Sequence, residues 1–272
     1  MSEPLIALAA FLTAAFGAVG GMGGAVLLVP ILAVTGTDVA AAAPLGLLSV
    51  AGGSLAAAAR HLEERTVNHR MAVSLEVFAS AGAVVGAIVA GRANDELLRY
   101  GLALVAAAAA IANLVRRGLR NRPVPGFPAS AVGEWRGELA GAYLLDGEVV
   151  PYRASRLPVA LGAIAGSGFV AGVSGVSGGF IKTPVMTDVM RVPIKVSAPT
   201  TTFTVGVTAS TALIVFALQD RLDLHLGAVV LAASIVGGAA GARLQAKLSP
   251  PVVRRLLSAL LLAVSLVLVV ST

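Results

Sequence analysis

The chain contains one stretch twice. Gly21, Gly24 and Pro30 return 154 positions later as Gly175, Gly178 and Pro184. Pro44, Val50, Gly82, Gly86, Ala87 and Arg99 return at 155 as Pro199, Val205, Gly237, Gly241, Ala242 and Arg254, so one residue enters the second copy between the two prolines. Each copy is almost wholly apolar. A duplicated apolar unit is the ground plan of many membrane transporters.

Composition fixes the solvent. Hydrophobic residues make up 57% of the 272 and charged residues only 12%, too little polar surface to cover a soluble globule. Uncharged runs cover 5–37, 39–59, 101–115, 157–181, 196–219, 226–242 and 256–272, and 71–91 is interrupted only by Glu76. They lack the alternation of barrel strands and are long enough to cross as helices. The expected fold is therefore all-α and polytopic. Glu3 stands where a signal peptide carries basic residues, so no cleaved leader is expected. Without cysteine, disulfides and thiolate metal ligation are excluded. A pI near 10.5 raises nucleic acid as a partner, but no basic stretch interleaved with aromatics supports it.

The run 5–37 is too long for one helical crossing and too short for two. Gly17, Gly20, Gly21, Gly23 and Gly24, followed by Pro30, place poor helix formers at its middle and predict two half-helices around a break. The run from 157 through Gly178, Gly179 and Pro184 repeats the pattern. If both broken segments cross, Lys and Arg divide almost evenly between the two sides. If both are re-entrant, 17 of the 20 fall together and only Arg92, Arg99 and Arg221 lie opposite. That bias matches the positive-inside rule. The expected architecture is two inverted repeats, residues 1–115 and 157–272, each a re-entrant segment plus three transmembrane helices. A cytoplasmic loop, 116–156, joins them. Within it Asp146-Gly147 between apolar runs predicts a tight β-hairpin; Pro123, Pro125 and Pro128 allow a loose linker as the alternative.

Several features resemble the sulfite exporter TauE/SafE family: the glycine-rich openings Gly17 to Gly24 with Pro30 and Gly172 to Gly179 with Pro184, and the Tyr143 to Tyr152 hairpin ahead of the second repeat. The resemblance spans essentially the whole chain. It implies transport of a small anion, sulfite or a related organosulfur or carboxylate species, across the inner membrane of a prokaryote.

The residues give an independent reason to expect anions. A helix broken inside a bilayer exposes N–H groups that need partners, and a half-helix N-terminus favours negative charge. The candidate substrate contacts are Gly21, Gly23, Gly24 and Ser49 in the first half, and Ser174, Ser177, Gly178, Gly179, Lys182, Thr183, Thr200, Thr201 and Thr204 in the second. Most polar groups belong to the second copy. Each has a blander reading, since threonines bond their own helix carbonyls and a lysine at a segment end snorkels. Gly82, Gly86, Gly237 and Gly241 read as helix-packing positions. Glu76, an acid inside a span, is a candidate proton carrier or a structural pair near Arg70.

The function expected is alternating-access anion transport at a midplane site between the repeats, with an anion channel as the alternative. A membrane enzyme is a weaker reading, because there is no cysteine and the three histidines lie near segment ends. No cofactor or metal is called for. One chain can hold the whole site, and a homo-oligomer is compatible with it.

Overall fold

A computed structural model describes residues 2–20, 25–63, 66–115, 127–145, 147–245 and 250–270. The apolar runs become helices because a helix satisfies its own backbone without water. In the first half these are α1 (Glu3–Gly20), α2 (Ala25–Val34), α3 (Val39–Glu63), α4 (His69–Ala90) and α5 (Asp95–Val115). The second half repeats the order with α6 (Leu157–Ser174), α7 (Gly179–Pro184), α8 (Ile194–Leu218), α9 (Leu224–Gln245) and α10 (Pro250–Val270), a single π-turn (Val185–Val189) following α7. Helices α3, α4, α6, α8 and α9 are each long and apolar enough to cross a membrane. The fold is that of an all-α polytopic membrane protein.

The halves pack into each other rather than side by side. Helix α4 lies along α6 as α9 lies along α1, and α3 on α9 as α8 on α4. Glycine makes the two longest contacts possible. A Cβ at Gly82 or Gly86 would fall on the carbonyl of Ala165 or Phe169, and one at Gly237 or Gly241 on that of Phe11 or Ala15. Residues 11 and 15 are the repeat equivalents of 165 and 169, so the contact itself is duplicated in register. These four glycines serve close helix approach, as their spacing indicates.

Polar contacts define the two ends of the bundle. At one, Asp95 Oδ1 accepts the Val39 N–H at 2.7 Å, and Oδ2 pairs with Arg99 at 2.8 Å. Pro44, having no N–H, leaves the Ala40 carbonyl without its helical donor. The Arg221 guanidinium supplies one at 2.7 Å. Glu3 pairs with His225 at this same end. The first broken segment therefore starts and finishes at one end, because Glu3 and Val39 share it. At the other end the Ser155 N–H donates to Met190 O at 2.9 Å, so the second broken segment also starts and finishes together, on the opposite side.

The connecting loop forms a three-stranded antiparallel sheet, β1 (Gly133–Glu134), β2 (Ala140–Leu145) and β3 (Glu148–Arg153). Register runs from Ala140 opposite Arg153 to Leu145 opposite Glu148, with Gly147 at φ 85° in the turn. Asp146 lies outside the described residues. Tyr143, Val150 and Tyr152 turn inward against Met71, Leu75, Met186, Val192 and Val196, so the sheet is packed into the membrane domain. Burial pushes the Tyr143 phenol up to about 12. Glu134 accepts the N–H groups of His69 and Arg70 and pairs with the His69 ring at 2.6 Å. Burial raises its pKa, but these bonds outweigh it and hold the carboxyl below its ordinary value.

Candidate functional site around Lys182

The second break is closed by its own serines. Ser174 Oγ donates to Val170 O at 2.7 Å and accepts the Val176 N–H, and Ser177 Oγ accepts the Gly179 N–H at 3.2 Å. Both are buried. Gly175 sits at φ 69°, and a Cβ there would collide with Ala43 of α3, which seats the break on the first half. Gly46 faces it, with a Cβ position 2.6 Å from the Gly175 carbonyl and in collision with Val29 of α2. A side chain in either place would separate the break from α3.

Beyond the break the chain turns back, and α7 carries Lys182 into the interior. Its side chain is 3% exposed and its Nζ donates to three acceptors: Glu76 Oε2 at 2.6 Å, Thr208 Oγ1 at 2.6 Å and Thr204 Oγ1 at 3.4 Å. A lysine ammonium has three protons, so the set is complete. Glu76 is equally satisfied. Its Oε1 accepts from Thr208 at 2.5 Å and from Ser80 at 3.0 Å, and Ser80 in turn accepts from Thr211. Either charge alone at this depth would carry a desolvation penalty of several kcal/mol; together they form a neutral cluster.

The threonines of α8 extend this cluster into a stripe. Ser197, Thr201, Thr204 and Thr208 recur three or four residues apart and are buried. Thr200 Oγ1 accepts the Asn68 N–H at 3.0 Å, and Asn68 Nδ2 donates to the Tyr152 hydroxyl at 3.0 Å, which ties the stripe's outer end to the hairpin. Asn68 also caps α4 by accepting the Met71 N–H. Thr183 Oγ1 and Ser197 Oγ are buried and have no hydrogen-bond partner among the described residues.

Residues 6–268 match the family described as sulfite exporter TauE/SafE. The chain belongs to this family. No curated protein and no solved structure matches it. Membership makes the chain a membrane transporter of sulfur anions and fits the apolar helices.

On this TauE/SafE chain the expected site residues separate into groups. Lys182 and Thr204 meet in the buried cluster, and Thr200 and Thr201 lie on the same stripe, Thr201 Oγ1 being 3.6 Å from Met186 Sδ. Thr183 adjoins Lys182 in α7. Ser174, Ser177, Gly178 and Gly179 form the break. Ser49 lies apart and accepts from Ser234 on α9 at 2.8 Å. Gly21, Gly23 and Gly24 lie outside the described residues. The repeat equivalents of Lys182, Thr204, Thr208 and Glu76 are Leu28, Ser49, Gly53 and Leu231, so the charged cluster, which joins Glu76 of the first copy to Lys182 of the second, has no charged counterpart.

Two expectations need adjusting. Lys182 is enclosed within the protein and paired with Glu76, so it drops out of the charge asymmetry. Glu76 pairs with it rather than with Arg70. Thr208, Ser80 and Asn68 escaped sequence reasoning. Thr208 was reachable, because it continues the Thr201 and Thr204 face by one further turn. The pairing was reachable too: Glu76 and Lys182 are opposite charges deep in apolar segments, and each demands a partner.

Proposed function

We propose that the chain moves a small oxyanion of sulfur or a sulfonate, with sulfite the leading candidate, by alternating access between two inverted repeats, 1–115 and 157–272. Lys182 is the fixed positive charge of the site. Thr183, Thr200, Thr201, Thr204 and the serines of the second break supply hydroxyl donors, and the glycines of the breaks, Gly21, Gly23 and Gly24 among them, let backbone approach the anion. The 116–156 loop faces the cytoplasm, consistent with Arg153, Arg156, Arg191 and Lys195 at the hairpin end against Arg92, Arg99 and Arg221 at the other.

The single observation that carries this reading is a fully enclosed lysine in a protein whose interior also holds two buried hydroxyls without partners among the described residues, Thr183 next to it on α7 and Ser197 at the outer end of the stripe. Buried polar groups are normally satisfied. An anion with several acceptor oxygens is the ligand that would complete them. Because the cluster is closed on all sides, the conformation corresponds to a resting, occluded state, and the exchange of helix pairs between halves provides a way to open one end while closing the other.

A thermal-shift screen of the detergent-purified protein across sulfite, sulfate, thiosulfate, sulfoacetate and small carboxylates tests the reading. A ligand at a hundred times its Kd stabilises by about 2.7 kcal/mol. A sulfur anion should raise the melting temperature of the wild type and not of Lys182→Gln. Shifts of equal size in both proteins would remove Lys182 from the site.

A further inference from the structure

The Lys182 cluster is already full. All three ammonium protons are engaged, one of them by a carboxylate at 2.6 Å, so an incoming anion finds no free donor on this lysine. Binding must displace Glu76. If the carboxylate stayed ionised, two negative groups would share one ammonium in an enclosed apolar site, where like charges at such range repel by several kcal/mol. Among the described residues of the elements packed on α4, none neutralises the second one. Helix α6, packed along α4, has no titratable residue between Leu157 and Ser174. On α8 the single charged residue is Lys195, exposed in the first turn. On α4 itself His69 and Arg70 sit in the opening turn, against Glu134. The hairpin brings only the phenols of Tyr143 and Tyr152, which pack by Met71 and Leu75.

We propose that Glu76 is a built-in competitor for the anion site: the substrate anion takes its place on Lys182 only as Glu76 takes up a proton, so each anion is carried together with one proton. The inference rests on Lys182 being the anion's partner. The step balances. A proton from the solution on the open side adds to Glu76 Oε2, the hydrogen bond that Lys182 Nζ donates to that oxygen breaks, and Nζ donates a hydrogen bond to an oxygen of the anion instead. For a singly charged anion the site is neutral before and after, so cotransport is electroneutral; a dianion such as sulfate, taken up with one proton, carries one net negative charge. The protonated carboxyl keeps local partners in Ser80 and Thr208, whose hydroxyls already contact Oε1. The repeat-related Leu28 and Leu231 can do none of this, which confines coupling to the second copy's lysine.

The test uses purified full-length protein with thiosulfate, sulfate and sulfoacetate, anions whose own charge is constant between about pH 6 and pH 8. In weakly buffered solution with a pH indicator, the binding anion should draw about one proton per protein from solution. Its half-saturating concentration should rise about tenfold per pH unit, the slope for one linked proton. In Glu76→Gln the anion itself becomes the countercharge of Lys182. Binding there should show no proton uptake, an affinity flat within about twofold, and a larger stabilisation by anion than in the wild type. A wild type that binds with no proton uptake and a flat pH profile overturns the coupling while leaving anion binding intact. Should none of these anions nor sulfite bind the wild type, the transport reading itself fails and the coupling falls with it.

Discussion

Removing one member of the Glu76–Lys182 pair should harm the protein more than removing both. In Lys182→Met the Glu76 carboxylate keeps only the hydroxyls of Ser80 and Thr208 in a site from which its counter-ion has gone. In Glu76→Leu the ammonium keeps only Thr204 and Thr208. Breaking a buried ion pair from one side costs about 3–5 kcal/mol, whereas replacing both members by apolar residues of similar volume is often neutral. An unfolding entropy of about 2.1 cal/mol/K per residue gives roughly 0.6 kcal/mol/K over this chain, so each single variant should melt about 5–9 °C below the wild type. The double variant Glu76→Leu/Lys182→Met should recover to within about 2 °C. Melting of the detergent-solubilised protein, followed by loss of the monodisperse peak, reads all four. Single variants as stable as the wild type, or a double variant showing the sum of both losses, would refute the pairing.

Three further outcomes follow from other parts of the fold. Gly168→Val puts a side chain onto the Ala79 carbonyl and should cost about 1–3 kcal/mol, whereas Gly162→Ala on the same helix, with nothing within 4 Å of its Cβ, should be neutral or slightly stabilising; melting temperatures decide it. Glu134 is held below its ordinary value of 4.5 by hydrogen bonds in the folded state. Its contribution to docking the hairpin is therefore present above that value and lost as pH falls through the depressed one, and protease cleavage between β2 and β3 should increase below about pH 4.5 but not in Glu134→Gln. Single cysteines are readable without background in a chain that has none. A probe at Asp38 or Asp220 should react from the side opposite to one at Gly147, and labelling of all three from one side would contradict the re-entrant course.

Much of the architecture was legible in the sequence because it rests on strong local signals. Apolar runs gave the helices, the second glycine and proline cluster gave the break between α6 and α7, and Asp146-Gly147 gave the hairpin. The packing role of Gly82, Gly86, Gly237 and Gly241 followed from small residues four apart. What escaped was long-range. Glu76 and Lys182 are 106 residues apart, and their repeat partners are apolar, so the duplication that revealed the fold said nothing of the pair. Ser174 and Ser177 were legible as polar but not as caps, because a serine beside a break bonds equally well to a ligand or to its own backbone. The depth of Lys182 depends on α7 folding back from Gly178, which proximity to Pro184 in sequence does not disclose.

The central claim is that this TauE/SafE chain carries a sulfur anion through the Lys182 site. Counterflow of radiolabelled sulfite in proteoliposomes tests it most directly, comparing the wild type with Glu76→Gln/Lys182→Gln, a variant that removes both charges and retains hydrogen-bonding groups. The wild type should show saturable, sulfite-stimulated exchange and the double variant none above the protein-free background. Exchange at the wild-type rate by that variant would place the anion's path elsewhere and contradict the assignment.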